Sequence, residues 1–329
     1  MPRLRKVSPT MRGYTRQRRG KGFSYADADG AALSAEDVER IKALVIPPAW
    51  QDVWICPLAN GHIQATGMDA AGRRQYLYHP DWRIKRDKMK FDRVLTAAAG
   101  LPKARKQIVR DLSGEGMTLD RASATAVRLI DLGYFRIGSD AYADTNGSFG
   151  LTTLERRHVK RGRDGLVFKF VGKSGVEHTV TIDDKVAIEA LDRMRSRRGG
   201  SGRLLAYKNG RSWVDLDAAS VNAYLATLFG GDLTAKDFRT WHATVLAAAA
   251  LAESTENGDS KASRKRAVKA AVEEVATYLG NTPTVARGSY IDPRVLDLYE
   301  SGTTITVPRT KSIEKRREAL EKAVVELLA

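Results

Sequence analysis

Near residue 86 the spacing of apolar residues changes period, and this change constrains the fold more than any other feature of the chain. Ahead of it, short runs alternate apolar and polar side chains at residues 53–56, 62–66 and 74–78. Turn signals separate them at Asn60-Gly61 and in residues 69–72, and Pro80 stops the last one. Such runs predict strands of an antiparallel sheet. One helix is predicted among them, opened by Ser34 as N-cap, carried by Val38, Ile41 and Leu44, and ended by Pro47-Pro48. Beyond residue 86 the spacing is that of amphipathic helices. Predicted helices cover 87–99, 102–112, 120–132, 218–229, 235–253, 264–279 and 293–300. Gly133, Gly230 and Gly280 stand just past three of them, where a left-handed stop is cheap. One β island interrupts: strands over 166–171 and 176–182 enclose Gly172-Lys173-Ser174-Gly175 as a hairpin. Residues 195–203, with Gly199, Gly200 and Gly202, read as an exposed loop. From Ser312 onward an amphipathic helix is predicted, with Ile313, Leu320, Val324 and Leu327 on its apolar stripe.

The expected fold class is therefore α+β. A small, mainly antiparallel β N-terminal domain precedes a larger, mainly α domain containing a short β-hairpin. The expected boundaries are a basic arm at residues 1–22, a β-rich domain at 23–86 and the helical domain at 87–329. The arm carries Arg3, Arg5, Lys6, Arg12, Arg16, Arg18, Arg19 and Lys21 and no acid, which reads either as a solvated tail or as a segment lying on phosphates.

Charge narrows the class of partner. Lys and Arg number 55 against 39 Asp and Glu, a net +16. Such an excess favours a polyanion through counterion release, and nucleic acid is favoured over a membrane surface because no basic amphipathic anchor is evident. Cys56 is the only cysteine, so an internal disulfide and a Cys/His zinc cluster are both excluded, and a reducing cytosolic setting fits. The N-terminus lacks the apolar stretch of a secretory signal, and the apolar run at 243–252 is far short of a bilayer span. A soluble protein is expected.

Five residues form a candidate site. Tyr290 follows Gly280-Asn281-Thr282-Pro283, and a late tyrosine can attack phosphorus and hold a broken strand covalently. Phenol ionises near pH ~10, so it needs cations or a proton relay to act at neutral pH. Arg136 in Phe135-Arg136-Ile137-Gly138 and Arg239 in Lys236-Asp237-Phe238-Arg239-Thr240-Trp241 offer planar forks for two phosphoryl oxygens each. Lys236, one turn ahead of Arg239, adds charge on the same helix face or is simply solvated. Asn281 is a helix-end amide that can donate to a phosphate oxygen. Lys173 at a hairpin tip can reach into a groove and protonate a leaving alkoxide. Gly172-Lys173-Ser174 also looks like the end of a P-loop, but the glycine required five positions earlier is Val167, and a hairpin replaces strand–loop–helix. Nucleotide binding is excluded on these grounds. Asp27-Ala28-Asp29-Gly30 matches only the start of a calcium loop and reads as a turn. Each of these residues also has an ordinary structural use, as an ion-pair arginine, a turn residue or a packed ring.

In order and local wording the set Arg136, Lys173, Arg239, Asn281, Tyr290 resembles the catalytic residues of type IB DNA topoisomerases, in their poxvirus and bacterial branch. The fourth donor is histidine in the poxvirus enzymes and asparagine here, as in the bacterial members, so Asn281 is expected only to stabilise charge. Gly72-Arg73-Arg74-Gln75-Tyr76-Leu77-Tyr78 resembles a poxvirus strand that reads the DNA major groove. By that likeness Gln75, Tyr76 and Tyr78 meet base edges, and Arg73 and Arg74 meet the backbone. The resemblance runs from about residue 35 to 300. It implies a monomer clamping duplex DNA, a 3′-phosphotyrosyl intermediate, strand rotation and religation, with no metal, ATP or other cofactor, in the bacterial cytoplasm at the nucleoid. A site-specific tyrosine recombinase and a non-catalytic architectural DNA-binding protein remain the alternatives.

Overall fold

A computed structural model describes residues 3–133, 135–138, 147–231, 233–254 and 260–329. The chain forms two compact units, residues 1–90 and 91–329.

In the first unit five strands make one antiparallel sheet: β1 Tyr14–Arg19, β2 Gly22–Ala26, β3 Gln51–Ile55, β4 Ile63–Met68 and β5 Arg74–Tyr78, in the order β2-β1-β3-β4-β5. Helix α1, Ala35–Ala43, begins at Ser34, whose side chain accepts from Asp37 N–H. Ile41, Val53, Ile55 and Ala65 are buried at the centre, with Tyr14, Trp50 and Leu77 packed around them. The expected basic arm is largely part of this unit. Residues 14–19 are strand β1, Arg5 pairs its backbone with Asn60 and His62, and Arg12 is ion-paired to Asp29. Arg16 donates to the carbonyls of Ile46, Pro47 and Trp50 and covers the Phe23 ring, so it is a structural cation. β-propensity at Tyr14-Thr15 and the Gly20–Gly22 turn outweigh the charge of the run.

Helix α2 runs Pro80–Leu112, where two helices separated before Pro102 were expected. Val94, Ala98, Leu101, Arg105, Ile108 and Leu112 are buried at spacings of three and four straight through the proline. Core packing on that face outweighs the lost N–H of one residue whose ring points to solvent. The second unit continues with α3 Leu119–Gly133, a three-stranded sheet of β6 Val159–Arg161, β7 Leu166–Val171 and β8 Glu177–Ile182, and α4 Lys185–Arg195. A hairpin follows, β9 Ala206–Asn209 and β10 Ser212–Asp215, then α5 Ala218–Phe229, α6 Ala235–Ala252, α7 Lys261–Leu279, α8 Pro283–Ser289, α9 Pro293–Glu300 and α10 Ile313–Leu328. β6, β9, β10, α4 and α8 were not foreseen.

Three smaller expectations change. Gly230 and Gly280 are left-handed stops, but Gly133 is the last residue of α3, where a Cβ would fall 2.3 Å from the Phe135 ring. Residues 195–203 are not wholly exposed: Arg197 is buried and donates to the carbonyls of Met194, Leu204 and Arg203. On α10, Leu320, Val324 and Leu328 are buried, whereas Ile313 at its first turn is 85% exposed. No described helix is long and apolar enough to cross a membrane.

Candidate active site

The site is organised by the C-terminal end of α7. Gly280 adopts φ +60°, and Asn281 N–H returns to Ala276 O at 2.9 Å. This Schellman turn leaves late carbonyls without helical partners, at the end where the helix dipole favours cations. Two arginines occupy them. Arg136 Nη2 donates to Leu279 O (3.3 Å), Gly280 O (3.0 Å) and Asn281 Oδ1 (2.7 Å). Arg239 Nη2 donates to the same Leu279 O at 2.9 Å.

Arg136 is delivered by a tight backbone crossing. Its carbonyl accepts from Leu151 N–H, and a Cβ on Gly150 would fall 2.4 Å from Gly138 Cα, so only glycine permits the approach. Phe135 is buried against Phe168 and Phe170. Arg239 sits in the second turn of α6. That helix is fixed by Asp237, whose carboxylate accepts from Thr234 N–H at the cap and from Arg93 Nη2 at 2.8 Å. Lys236, one turn earlier, is exposed while Arg239 is 5% exposed, so the two do not share an environment.

Tyr290 lies directly after α8, which Thr282 caps and Pro283 opens. Its N–H bonds Ala286 O, and its carbonyl faces Thr244 Oγ1, which also accepts from Asp292 N–H. Thr244 belongs to α6, so the helix bearing Arg239 also tethers the tyrosine backbone. The Arg239 guanidinium carbon lies 5.5 Å from the Tyr290 ring centroid.

Burial and the neighbouring charge of Arg136 lower Arg239 to about 10, and burial lowers Arg136. Both stay protonated at neutral pH. Two crowded cations cost desolvation and repulsion unless an anion joins them. Arg136 Nη1 and Asn281 Nδ2 are buried donors without a hydrogen-bond partner among the described residues. The cleft that Arg136 and Arg239 line, about 430 Å³, also contains Phe170, His178 and Thr181. The arrangement suits a tetrahedral or bipyramidal oxyanion.

Lys173 stands exposed in a turn of 3₁₀ helix, Lys173–Gly175, at the β7–β8 tip. The tip flanks this same α7 turn: a Cβ on Gly280 would be 3.0 Å from His178 and 3.6 Å from Val176. Four of the five predicted residues thus meet directly, and the fifth is on the adjoining hairpin. Sequence reasoning missed His178 and Thr244, which carry no local motif.

Among the described residues, Asp131, His242 and Glu321 offer ligand atoms within 4.8 Å of one another. Arg105 already bridges the carboxylates, with Nη2 at 2.8 Å from both Asp131 Oδ1 and Glu321 Oε1, and Arg128 and Arg317 approach Asp131 as well. The group is a salt-bridge network.

In the first unit, strand β5 carries the predicted DNA-reading residues. Arg74, Tyr76 and Tyr78 alternate onto one face, and the two tyrosine rings stack at 5.9 Å. Gln75 shares the opposite face with Leu77, and its amide donates to Asp69 Oδ2 at 2.9 Å. Asp69 also accepts from Arg73 N–H, Nε and Nη2, which together hold its carboxyl down at about 2. Arg73 and Gln75 are therefore engaged in shaping the turn before β5.

Comparison with known proteins settles the family. Residues 79–314 match the family described as eukaryotic DNA topoisomerase I, catalytic core, and residues 22–69 match bacterial DNA topoisomerase IB, N-terminal domain. The chain is 30% identical to DNA topoisomerase 1B of Acanthamoeba polyphaga mimivirus, over 88% of each protein. It belongs to the type IB DNA topoisomerases. Vaccinia virus (strain Copenhagen) DNA topoisomerase 1B is 21% identical over 73% of this chain and 74% of the viral protein. Arabidopsis thaliana DNA topoisomerase 1 beta is 25% identical over 65% of this chain and 23% of the plant protein. This topoisomerase thus pairs a match to a bacterial N-terminal domain with a catalytic-core match shared with eukaryotes.

Proposed function

We propose that the chain relaxes supercoiled duplex DNA by the following division of labour. Tyr290 attacks a phosphodiester and forms a 3′-phosphotyrosyl bond, releasing a 5′-hydroxyl. Arg136, Arg239 and Asn281 stabilise the pentacoordinate phosphorus, and Lys173 protonates the departing 5′-oxygen. The free strand rotates, and the hydroxyl reverses the attack. The phosphotyrosine conserves the bond energy, so neither ATP nor metal is needed. The observation that carries this reading is the convergence of both guanidiniums on Leu279 O, with Asn281 at one side and the Tyr290 ring at the other.

Tyr76 and Tyr78 read the major groove beside Arg74, while Arg73 and Gln75 set the strand's approach. Lys236 adds charge near the phosphates. The enzyme works as a monomer at the bacterial nucleoid. Relaxation of plasmid in EDTA without ATP tests the assignment, with a denaturing gel for the covalent adduct. Wild type should relax and form adduct, and Tyr290→Phe should bind DNA and do neither. Normal relaxation by that variant would sink the assignment of the nucleophile, and adduct without relaxation would indicate a recombinase.

A further inference from the structure

The glycine of Gly172-Lys173-Ser174 has no backbone reason to be glycine. Its φ of −94° and ψ of −168° are open to any residue. Yet a Cβ there would fall 2.6 Å from His178 Cδ2 and 2.7 Å from Nε2. The same ring edge closes on the other side, where a Cβ on Gly280 would stand 3.0 Å from Cε1. His178 therefore fills the gap between the residue preceding Lys173 and the residue preceding Asn281. Its other support is a stack of rings. His178 pairs in register with Phe170, the rings 5.2 Å apart and 24° from parallel, and Phe170 stacks on Phe135 at 5.9 Å. Phe135 immediately precedes Arg136. The stack thus runs from the base of one clamp arginine to the lysine turn.

We propose that His178 is a positioning residue for the proton-transfer step, wedging the Lys173 turn against the Leu279–Asn281 turn that gathers the clamp. The inference rests on the reading of Lys173 as the general acid. Burial and the charges of Arg136 and Arg239 hold the imidazole below the ordinary histidine range, which suits a neutral spacer inside a cationic cleft. An acid must stand within hydrogen-bonding reach of the oxygen it protonates, and a displacement of ~1 Å costs about 10²-fold.

Single-turnover cleavage on two DNAs tests this, one with the natural scissile phosphate and one with sulfur at the 5′-bridging position. Sulfur departs without a proton, so a defect that acts through the acid vanishes on it. His178→Ala should be slower by about 10- to 100-fold on the natural phosphate and within about threefold of wild type on the sulfur substrate. Gly172→Ala keeps the ring and pushes it away, and should show the same pattern. In the double variant the vacated ring space accepts the new Cβ, so its loss should match that of His178→Ala rather than the product of both. Equal losses on the two substrates, or no loss on either, would overturn the proposal. Lys173→Ala, assayed alongside, separates the two readings. If sulfur rescues it but not His178→Ala, the positioning role alone fails; if sulfur does not rescue it, the acid assignment fails and the positioning role falls with it.

Discussion

Replacing Arg239 by lysine would keep its charge and lose its geometry. The guanidinium bonds Leu279 O at 2.9 Å and reaches the Tyr290 side chain from the same buried position, which a single ammonium on a flexible stem does not reproduce. Arg239→Lys should slow single-turnover cleavage by about 10²–10³-fold while DNA binding changes little. Near-normal cleavage would remove Arg239 from the clamp. Asn281 allows a sharper test of role. Its Oδ1 is taken by Arg136, which leaves Nδ2 as the donor for phosphate. Asn281→Ala should cost of order 10²-fold, and Asn281→Asp should cost more, because it turns a carboxylate oxygen toward the phosphate. An aspartate variant faster than the alanine variant would refute the donor role. These residues were legible in the sequence because their order is distinctive and each chemical type has a defined task. His178 and Thr244 were not, since a wedge and a backbone tether are defined only by what lies across the fold from them. Gly172 lies in the predicted hairpin turn, yet what requires glycine there is a ring six residues away.

At the scale of elements, helices whose caps and apolar stripes agree were read almost to the residue. Residues 218–229 have Asp217 as cap and Gly230 as stop, and 293–300 have Asp292 as cap and Pro293 at N1. Pro102 misled because its penalty is local while the stripe on α2 is held by tertiary packing. β6, β9 and β10 are three or four residues long, too short for alternation to stand out. The C-terminal helix contributes something no periodicity reveals. Glu321 and Arg317 of α10 meet Arg105 of α2 and Asp131 of α3, and Asp131 in turn lies 3.4 Å from His242 of α6, three residues after Arg239. Burial alone would raise the Asp131 carboxyl, but the nearby His242 ring, the Arg105 guanidinium bonded to it and the charge of Arg317 outweigh it and hold it well below the ordinary range. A carboxyl depressed in the folded state stabilises fully above its unfolded pKa of ~3.9, and this contribution is lost as pH falls below that value toward the folded pKa. Asp131→Asn should therefore destabilise by about 3–5 kcal/mol at pH 7, since it leaves buried arginines uncompensated. Urea melts at pH 7 and pH 3 check this: the gap between wild type and variant should narrow at pH 3, and a constant gap would show that Asp131 is not the group lost.

For the whole molecule the net charge of +16 makes an argument about binding and not about fold. Sequence reading assigned much of the N-terminal positive charge to a loose arm, yet those cations differ in kind. Arg12 is ion-paired to Asp29 and Arg16 is spent on three backbone carbonyls, whereas Arg18, Arg19 and Lys21 stand exposed around the β1–β2 turn. Cations on an ordered hairpin contact phosphates without first losing the conformational freedom of a tail. The affinity of Tyr290→Phe for duplex DNA should fall linearly with salt on logarithmic axes, with a slope of about −0.9 per neutralised phosphate. Alanine at Arg18, Arg19 and Lys21 together should make that slope shallower by at most about 2.7, from three contacts at ~0.9 each. The same change at Arg12 and Arg16 should leave the slope nearly unaltered and lower the melting temperature through Arg16. If the hairpin triple variant kept the wild-type slope, the turn would lie clear of the phosphates, and the salt dependence would have to come from the other exposed cations.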